Sequence, residues 1–591
     1  MRTAESPQAP DADPARHAVR AGNAAGSRRW VWAGLACVLA GGLALRLWGV
    51  RQGLPFAFNT DEADHFVSKA VAMFREGTLN PHYFSNPPAF TYLLHGLFAL
   101  AYGGAGGVQR AFSLHPSEVY TLARIAAAVL GTVALWLLYA VGARLFNRGV
   151  GLLAAAIEAV AFLPVFYAHL ALNDVPTLAP LTLSLLGSAG ILRRGRMRDH
   201  LVAGVGLGLA CASKYTAGIA LVPLLAAVAA RFLDGEDGAA RAALLGLLVA
   251  GSTALLVFLL ANPYAILDYP GFHAGLVHQS SLSGESQGKL GAPRSGGLIY
   301  YLWSLTWGLG WVPALAALGG AVTVWRSERR LGWVLVPAAL LFLLFMGTQG
   351  RYFGRWLIPV LPILCLLAAH FALSLSELLV RRGGPARVAL TALLVLAMLA
   401  QGLIYSVHAG LVLSRADTRS LTREWMLAHI PAQARIVVEQ IAPEEWAHES
   451  RPGTSTAHDP RRWRKYDSLL LRISPSGQVV APSSRLSIEN YERTLAPALI
   501  GYYLQQGYCW VVSGSTQSGR AYADPRVVPR AIAYYRALAA GAEVVFRASP
   551  YARGQGPVAF SFDWSFDYYP LAYHRPGPAI TVYRLHGGRC G

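Results

Sequence analysis

Charge is scarce in this chain. Of its 591 residues 14% are Asp, Glu, Lys or Arg, where a soluble globular protein carries about 25%. Acidic residues are the scarcer sign, 32 against 51 basic, which leaves a formal net charge of +19. Five cysteines are too few for a disulfide framework, which excludes the small secreted scaffolds that depend on one. No pair of His at i, i+4 stands beside a third ligand, so no metal site is expected. No Walker-type or dinucleotide glycine pattern occurs, and no repeat of solenoid length. No basic patch is interleaved with stacking aromatics, so the positive charge does not point to nucleic acid.

Long apolar runs are present in abundance. Hydrophobic residues make up 54% of the chain, and the runs recur through most of the first 410 residues. The pattern predicts a polytopic α-helical membrane protein. Residues 1–28 have no apolar period and are read as a disordered cytoplasmic tail. Arg28 and Arg29 then precede an apolar run over 30–50, with no convincing cleavage site after it, so an uncleaved signal anchor is expected. Arginine clusters mark cytoplasmic loops: Arg144/Arg148, Arg193–Arg198, Arg231/Arg241, Arg326–Arg330 and Arg381–Arg387. The spans that fit are 30–50, 119–143, 149–168, 175–192, 201–212, 215–232, 239–261, 298–324, 331–347, 356–379 and 388–413. The apolar run over 88–102 is short and follows a double proline. Counting it would send Arg144/Arg148 outside, so it is read as a juxtamembrane helix on the outer surface. About eleven spans put the C-terminal region outside.

Beyond Leu413 the texture changes. An amphipathic helix, a proline turn and a β run, in that order within 416–443, and further β runs at 508–514, 542–549 and 579–585 predict an extracytoplasmic α/β domain over 414–591, after a membrane portion over 29–413. Cys37, Cys211 and Cys365 sit inside apolar runs as small core residues. Cys509 and Cys590 fall in the outer region, where they are free to pair or not; spacing alone leaves this open.

The predicted topology gathers polar groups on the outer side: Asp61 and Glu62 in TDEADHFVSKA, Asn86 before Pro87-Pro88, then His169, Asn173 and Asp174. Lys214 follows, then Asp268, His273, His278 and Lys289 in a long loop, and last Arg351, Tyr352 and Arg355. Transfer of a sugar from a lipid phosphate would use such a set. The phosphate is already a good leaving group, so a single carboxylate (Asp61 or Glu62) need only take the acceptor's proton. Lys214, Arg351 and Arg355 would hold the phosphate. Each residue alone also has a plainer reading. Asp61 and Glu62 suit a helix first turn, Asp174 an N-cap, Lys214 snorkels, and the arginines are ordinary loop charges. Arg124, inside a span, is costly there and more often functional. A transporter or lipid flippase also carries charges within a bundle, but no pair of Gly/Pro-broken spans in corresponding halves supports it.

Taken together, the segments TDEADHFVSKAVAMFREG, NPPAFTYLLHGLFAL, YAHLALNDVPTL, ASKYTAGIALVP and RYFGRWLIPVLPILCLLAA resemble the GT-C glycosyltransferases that use polyprenyl-phosphate sugars, the protein O-mannosyltransferase and aminoarabinose-transferase superfamily. They run in the family's order across almost all of the membrane portion. The resemblance implies an inverting membrane glycosyltransferase that needs no cofactor or bound metal. It would move a sugar from a polyprenyl (in bacteria undecaprenyl) phosphate to an extracytoplasmic protein, lipid or glycan at the inner membrane. It implies Asp61 as catalytic base with Glu62 beside it, and Asp174 as the second outer acid. It implies donor or substrate contacts at Arg124, Lys214, Arg351 and Tyr352, with Arg355, His169 and Asn86 near them. Asn86 departs from the family, where His or Lys often precedes Pro-Pro.

Overall fold

The computed structural model describes residues 14–235, 238–284, 290–291, 296–380, 384–448, 461–466, 472–473, 479–480, 488–561 and 570–587. Lys289, Cys590, Arg381 and Arg382 fall outside them. Among the described residues, eight helices are long and apolar enough to cross a membrane: Arg29–Leu47, Pro116–Leu145, Tyr215–Phe232, Ala239–Ala261, Gly297–Ser327, Arg329–Gly347, Gly354–Leu379 and Pro385–His429. The chain is therefore a multi-pass membrane protein.

The other three expected spans are helical but shorter. They are Arg148–Val160 with Phe162–Tyr167, Leu178–Arg194 and Met197–Ser213. Gly195, at φ +64°, ends Leu178–Arg194. These helices lie deep in the bundle and pack on small residues. A Cβ on Gly187 would stand 2.3 Å from the Ala203 backbone, and one on Gly206 2.3 Å from that of Ser184. Arg46 pins the first helix to its neighbour by donating to the carbonyls of Gly42 and Ala159 at 2.9 and 3.1 Å.

Two differences from the sequence expectations concern helix length. The first helix begins at Pro14, so 14–28 is helical rather than irregular; Pro at the first position and an Ala- and Arg-rich stretch favour that. The long loop after 261 is largely helical, with Tyr264–Leu267 and Tyr269–Gly284. The run at 88–102 is the helix Ala89–Tyr102, too short to span, and is followed by Ala105–Leu114.

The two ends of the bundle collect different loops. At one, Arg193 pairs with Glu328 at 3.2 Å, Arg194 with Asp199 at 2.9 Å, and Arg330 with Asp234. At the other meet the segments around residues 50, 61, 86, 171, 214 and 355.

Among its described residues the C-terminal part has seven strands: β1 (Arg435–Val438), β2 (Arg464–Tyr466), β3 (Arg472–Ile473), β4 (Val479–Val480), β5 (Trp510–Gly514), β6 (Ala542–Ala548) and β7 (Ile580–Leu585). Five form one sheet in the order β2-β1-β5-β7-β6, parallel across β2-β1-β5 and antiparallel at β7 and β6. Both faces are covered, so β1 reads as a continuous apolar run. Val437 and Val511 pack with Tyr491, Tyr503, Tyr534 and Leu538; Ile436, Val438 and Val512 pack on the other face with Met426, Ile430 and Trp446. Phe56, from the loop after the first helix, is built into that second core. The Arg423 guanidinium lies 5.3 Å from its ring, and that of Arg419 lies 3.8 Å from the ring of Phe58. Cys509 is disulfide-bonded; Cys37, Cys211 and Cys365 are free.

Candidate active site

Asp61 opens a helical segment whose first turn, Glu62–Phe66, is π-helical before it continues as Val67–Glu76. Such wide turns recur at functional sites. Successive residues of a helix diverge by about 100° around its axis, so the two adjacent carboxylates cannot share one environment. The structure separates them.

Glu62 turns inward and is wholly buried. Its carboxylate accepts from Arg124 Nε and Nη2, both at 2.7 Å, and from the Ala171 N–H at 2.8 Å. Arg124, also wholly buried, donates through Nη1 to the carbonyls of Val50 and Gln52 at 2.8 Å. This fork ties the loop after the first helix, the helix Pro116–Leu145 and the turn before Asp174 into one unit. Arg124 therefore spends its hydrogen bonds inside the fold and does not face the cavity described below. His169 is similar, buried with its ring nitrogens 3.2 Å from the Phe166 carbonyl and 3.0 Å from that of Trp48. Tyr352 packs in an aromatic group, its ring 4.6 Å from that of Tyr300.

Asp61 turns outward into a cavity of about 1440 Å³ between the membrane portion and the C-terminal sheet. His65, Tyr83, Asn86, Arg351 and Arg355 line it on the same side. The Asp61 carboxylate pairs with Arg355 and stands 3.7 Å from His65 Nε2, with 38% of its side chain exposed. Burial opposes its ionisation, but Arg355, with His65 and Arg351 behind it, holds the carboxyl below the usual range. Aromatic faces steady both arginines: Arg355 lies 5.3 Å from the Phe353 ring and 6.0 Å from that of Tyr167, and Arg351 lies 5.4 Å from Phe353. His65 stacks on Tyr83 at 4.5 Å, and Asn86 donates to the Tyr83 hydroxyl at 2.7 Å.

Lys214 and Asp174 form a buried ion pair behind this wall. Burial lowers the ammonium's affinity for its proton, with Asp174 opposing and Arg355 close enough to act on it. Asn173 joins the pair to the cavity: its amide donates to the Ser213 carbonyl at 2.6 Å and reaches Asn86 Oδ1 at 3.5 Å. Of the expected residues, Asp61, Asn86, His278, Arg351 and Arg355 thus meet at the cavity. Asp174 and Lys214 stand behind it, and Glu62, Arg124, His169 and Tyr352 lie within the fold.

The opposite wall was not foreseen. Gln440 and Ile441 after β1, and Ser515–Arg520 after β5, open onto the cavity from the carboxyl ends of adjacent parallel strands. That is where ligands of open α/β sheets commonly lie. Here β5 runs directly into the helix Ser515–Ala523. His65 was also overlooked, although its i, i+4 spacing from Asp61 was a readable signal. Among the described residues no group of three or more His, Cys, Asp or Glu is placed to hold a metal ion.

Residues 110–267 match the family model described as dolichyl-phosphate-mannose-protein mannosyltransferase. Among solved structures, the chain resembles the archaeal oligosaccharyltransferase AglB from Archaeoglobus fulgidus in complex with an inhibitory peptide and a dolichol-phosphate. The TM-score is 0.52 at 13% identity, over 89% of this chain and 74% of that one. The apo form of the Archaeoglobus fulgidus oligosaccharyltransferase matches with TM-score 0.52 at 13% identity, over 85% of this chain and 72% of that one. ArnT from Cupriavidus metallidurans bound to undecaprenyl phosphate matches with TM-score 0.47 at 15% identity, over 94% and 98% of the two chains. A search of curated proteins gave no match. At these identities the likeness is one of fold: the chain has the GT-C fold.

Proposed function

We propose that this protein is a glycosyltransferase that moves a sugar from a polyprenyl phosphate to an acceptor hydroxyl on the non-cytoplasmic face of the plasma membrane, with inversion. In a bacterial cell the lipid is undecaprenyl phosphate. One observation carries the reading: the Asp61 carboxylate faces a large cavity and is paired there with Arg355, with Arg351 on the same wall. The family model over 110–267 and the dolichol-phosphate complex of AglB support a polyprenyl phosphate as donor.

In this reading the two arginines hold the donor's phosphate, and Lys214 adds positive charge from behind. The acceptor oxygen attacks the anomeric carbon from the side opposite the phosphate, and its proton passes to Asp61. The bond between the anomeric carbon and the phosphate oxygen breaks, and its electron pair leaves on the phosphate. Arginine forks stabilise that charge as it grows. Polyprenyl phosphate and an inverted glycoside result. Glu62, Arg124 and His169 hold the Asp61 loop in place, and the C-terminal domain supplies the acceptor's wall through the loops after β1 and β5. The Arg-rich end of the bundle faces the cytoplasm.

The test is transfer from a pool of polyprenyl-phosphate sugars by the purified protein in liposomes. Asp61→Asn should lower the rate about 10²–10⁴-fold while insertion and folding persist. Full activity in that variant would remove Asp61 as the base.

A further inference from the structure

The base and the phosphate clamp share a residue. Arg355 is the strongest partner of Asp61, yet it is also one of the two arginines placed to receive a phosphate in the cavity. A carboxylate tied to a guanidinium is a poor proton acceptor, because the pair stabilises its ionised form. The surroundings leave an alternative for each member. Arg355 lies between the Phe353 and Tyr167 rings, which hold its plane while its hydrogen bonds change partner. Arg351 stands against the same Phe353 ring, so a phosphate could bridge the two arginines. Around Asp61, His65 remains at 3.7 Å, and burial raises the carboxyl's proton affinity once Arg355 is withdrawn.

We propose that Asp61 and the donor phosphate compete for the Arg355 guanidinium, so that seating the lipid frees the carboxylate to take the acceptor's proton. The empty enzyme keeps its base masked, and the base is released only when a leaving group is in place. This rests on the assignment of Asp61 as base, but its test reads binding and needs no turnover.

The helix that carries Asp61 presents His65 and Asp64; the segment before the Pro-Pro helix presents Tyr83; the loop before residue 356 presents Arg351 and Arg355. Lys214, paired with Asp174, acts from behind. The imidazoles of His65 and His278 line the same cavity, so both are replaced to leave the carboxylate as the group that is read.

The probe is a short-chain polyprenyl methyl phosphodiester, whose single charge does not titrate over the working range, bound to the full-length protein in nanodiscs. Asp61→Asn should bind it about tenfold more tightly than the wild type, because Arg355 no longer has to leave a partner. Arg355→Gln should weaken binding, and in that background Asp61→Asn should gain less than about twofold. In a background carrying both His65→Gln and His278→Gln the affinity should rise several-fold between about pH 7 and about pH 5, since the bound state takes up a proton at Asp61. Asp61→Asn should abolish that rise. Equal gains from Asp61→Asn with and without Arg355 would show simple charge repulsion and overturn the proposal. An unchanged affinity in Asp61→Asn would overturn it too. If transfer depends on Asp61 while these binding effects are absent, the base assignment survives and the competition does not.

Discussion

The sharpest mechanical prediction separates the two neighbouring carboxylates. Glu62→Gln keeps the side chain's shape but not its charge. The buried carboxylate accepts from two nitrogens of Arg124 and from the Ala171 N–H, all within 2.8 Å. The amide offers one oxygen and turns an NH₂ group toward a donor, so one contact becomes donor against donor. The Arg124 charge is left unbalanced where no water reaches it. Removing one partner of a buried ion pair costs about 3–5 kcal/mol. Asp61→Asn also breaks an ion pair, but at a carboxylate with 38% of its side chain exposed, where such pairs contribute about 0–1 kcal/mol. The comparison is made by unfolding the detergent-solubilised variants and following tryptophan fluorescence. Glu62→Gln should unfold at clearly lower temperature or denaturant, while Asp61→Asn stays near the wild type. Combining Glu62→Gln with Arg124→Gln should cost little beyond the first change, because the pair is already broken. If the two single variants unfold together, Glu62 and Arg124 do not brace the loop.

Other outcomes concern the C-terminal domain and the topology. Burial pushes Glu439 up to about 7, although Ser513, Gly514 and Tyr535 donate to it. A raised carboxyl favours the fold most at acid pH, so stability should fall as the pH rises from about 4.3 through that value, and Glu439→Gln should flatten the slope, as read by denaturant titration. Arg419 stacks on Phe58 at 3.8 Å, three residues before Asp61, while its fork holds Asp417 at 2.7–2.8 Å. Arg419→Ala should cost about 0.5–2 kcal/mol and lower kcat more than it raises KM for the donor; a change in KM alone would show that the outer domain does not position the loop. Cysteines placed at Ser85 and Ser280 should react with an impermeant thiol reagent from outside the cell, and protection of both would reverse the orientation.

Much of the bundle was legible because lipid imposes long apolar runs and arginine clusters punctuate them. The spans that fall below a membrane-crossing length, at 148–213, are those buried by other helices, where Gly187 and Gly206 serve packing rather than lipid contact. The strands β1, β5, β6 and β7 were readable from their β-branched runs. The three-residue β2 was not, because it exists through its pairing with β1. In the site, Asp61 and the arginines stood out because charge in a greasy chain is conspicuous. Direction did not. Nothing in the dipeptide Asp61-Glu62 says which carboxylate turns inward; the buried Arg124 decides that, and Arg124 reads on paper like a ligand contact. The second wall was hidden for a related reason, since the loops after β1 and β5 become neighbours only when those strands pair.

The most direct measurement is a structure of the protein with undecaprenyl phosphate bound. The phosphate is expected between Arg351 and Arg355, within hydrogen-bond reach of both, with the Asp61 carboxylate released from Arg355 and facing the space where the sugar would sit. A phosphate at the Arg-rich end near Arg193 and Arg330, or one in the cavity with Asp61 turned away from it, would contradict the account.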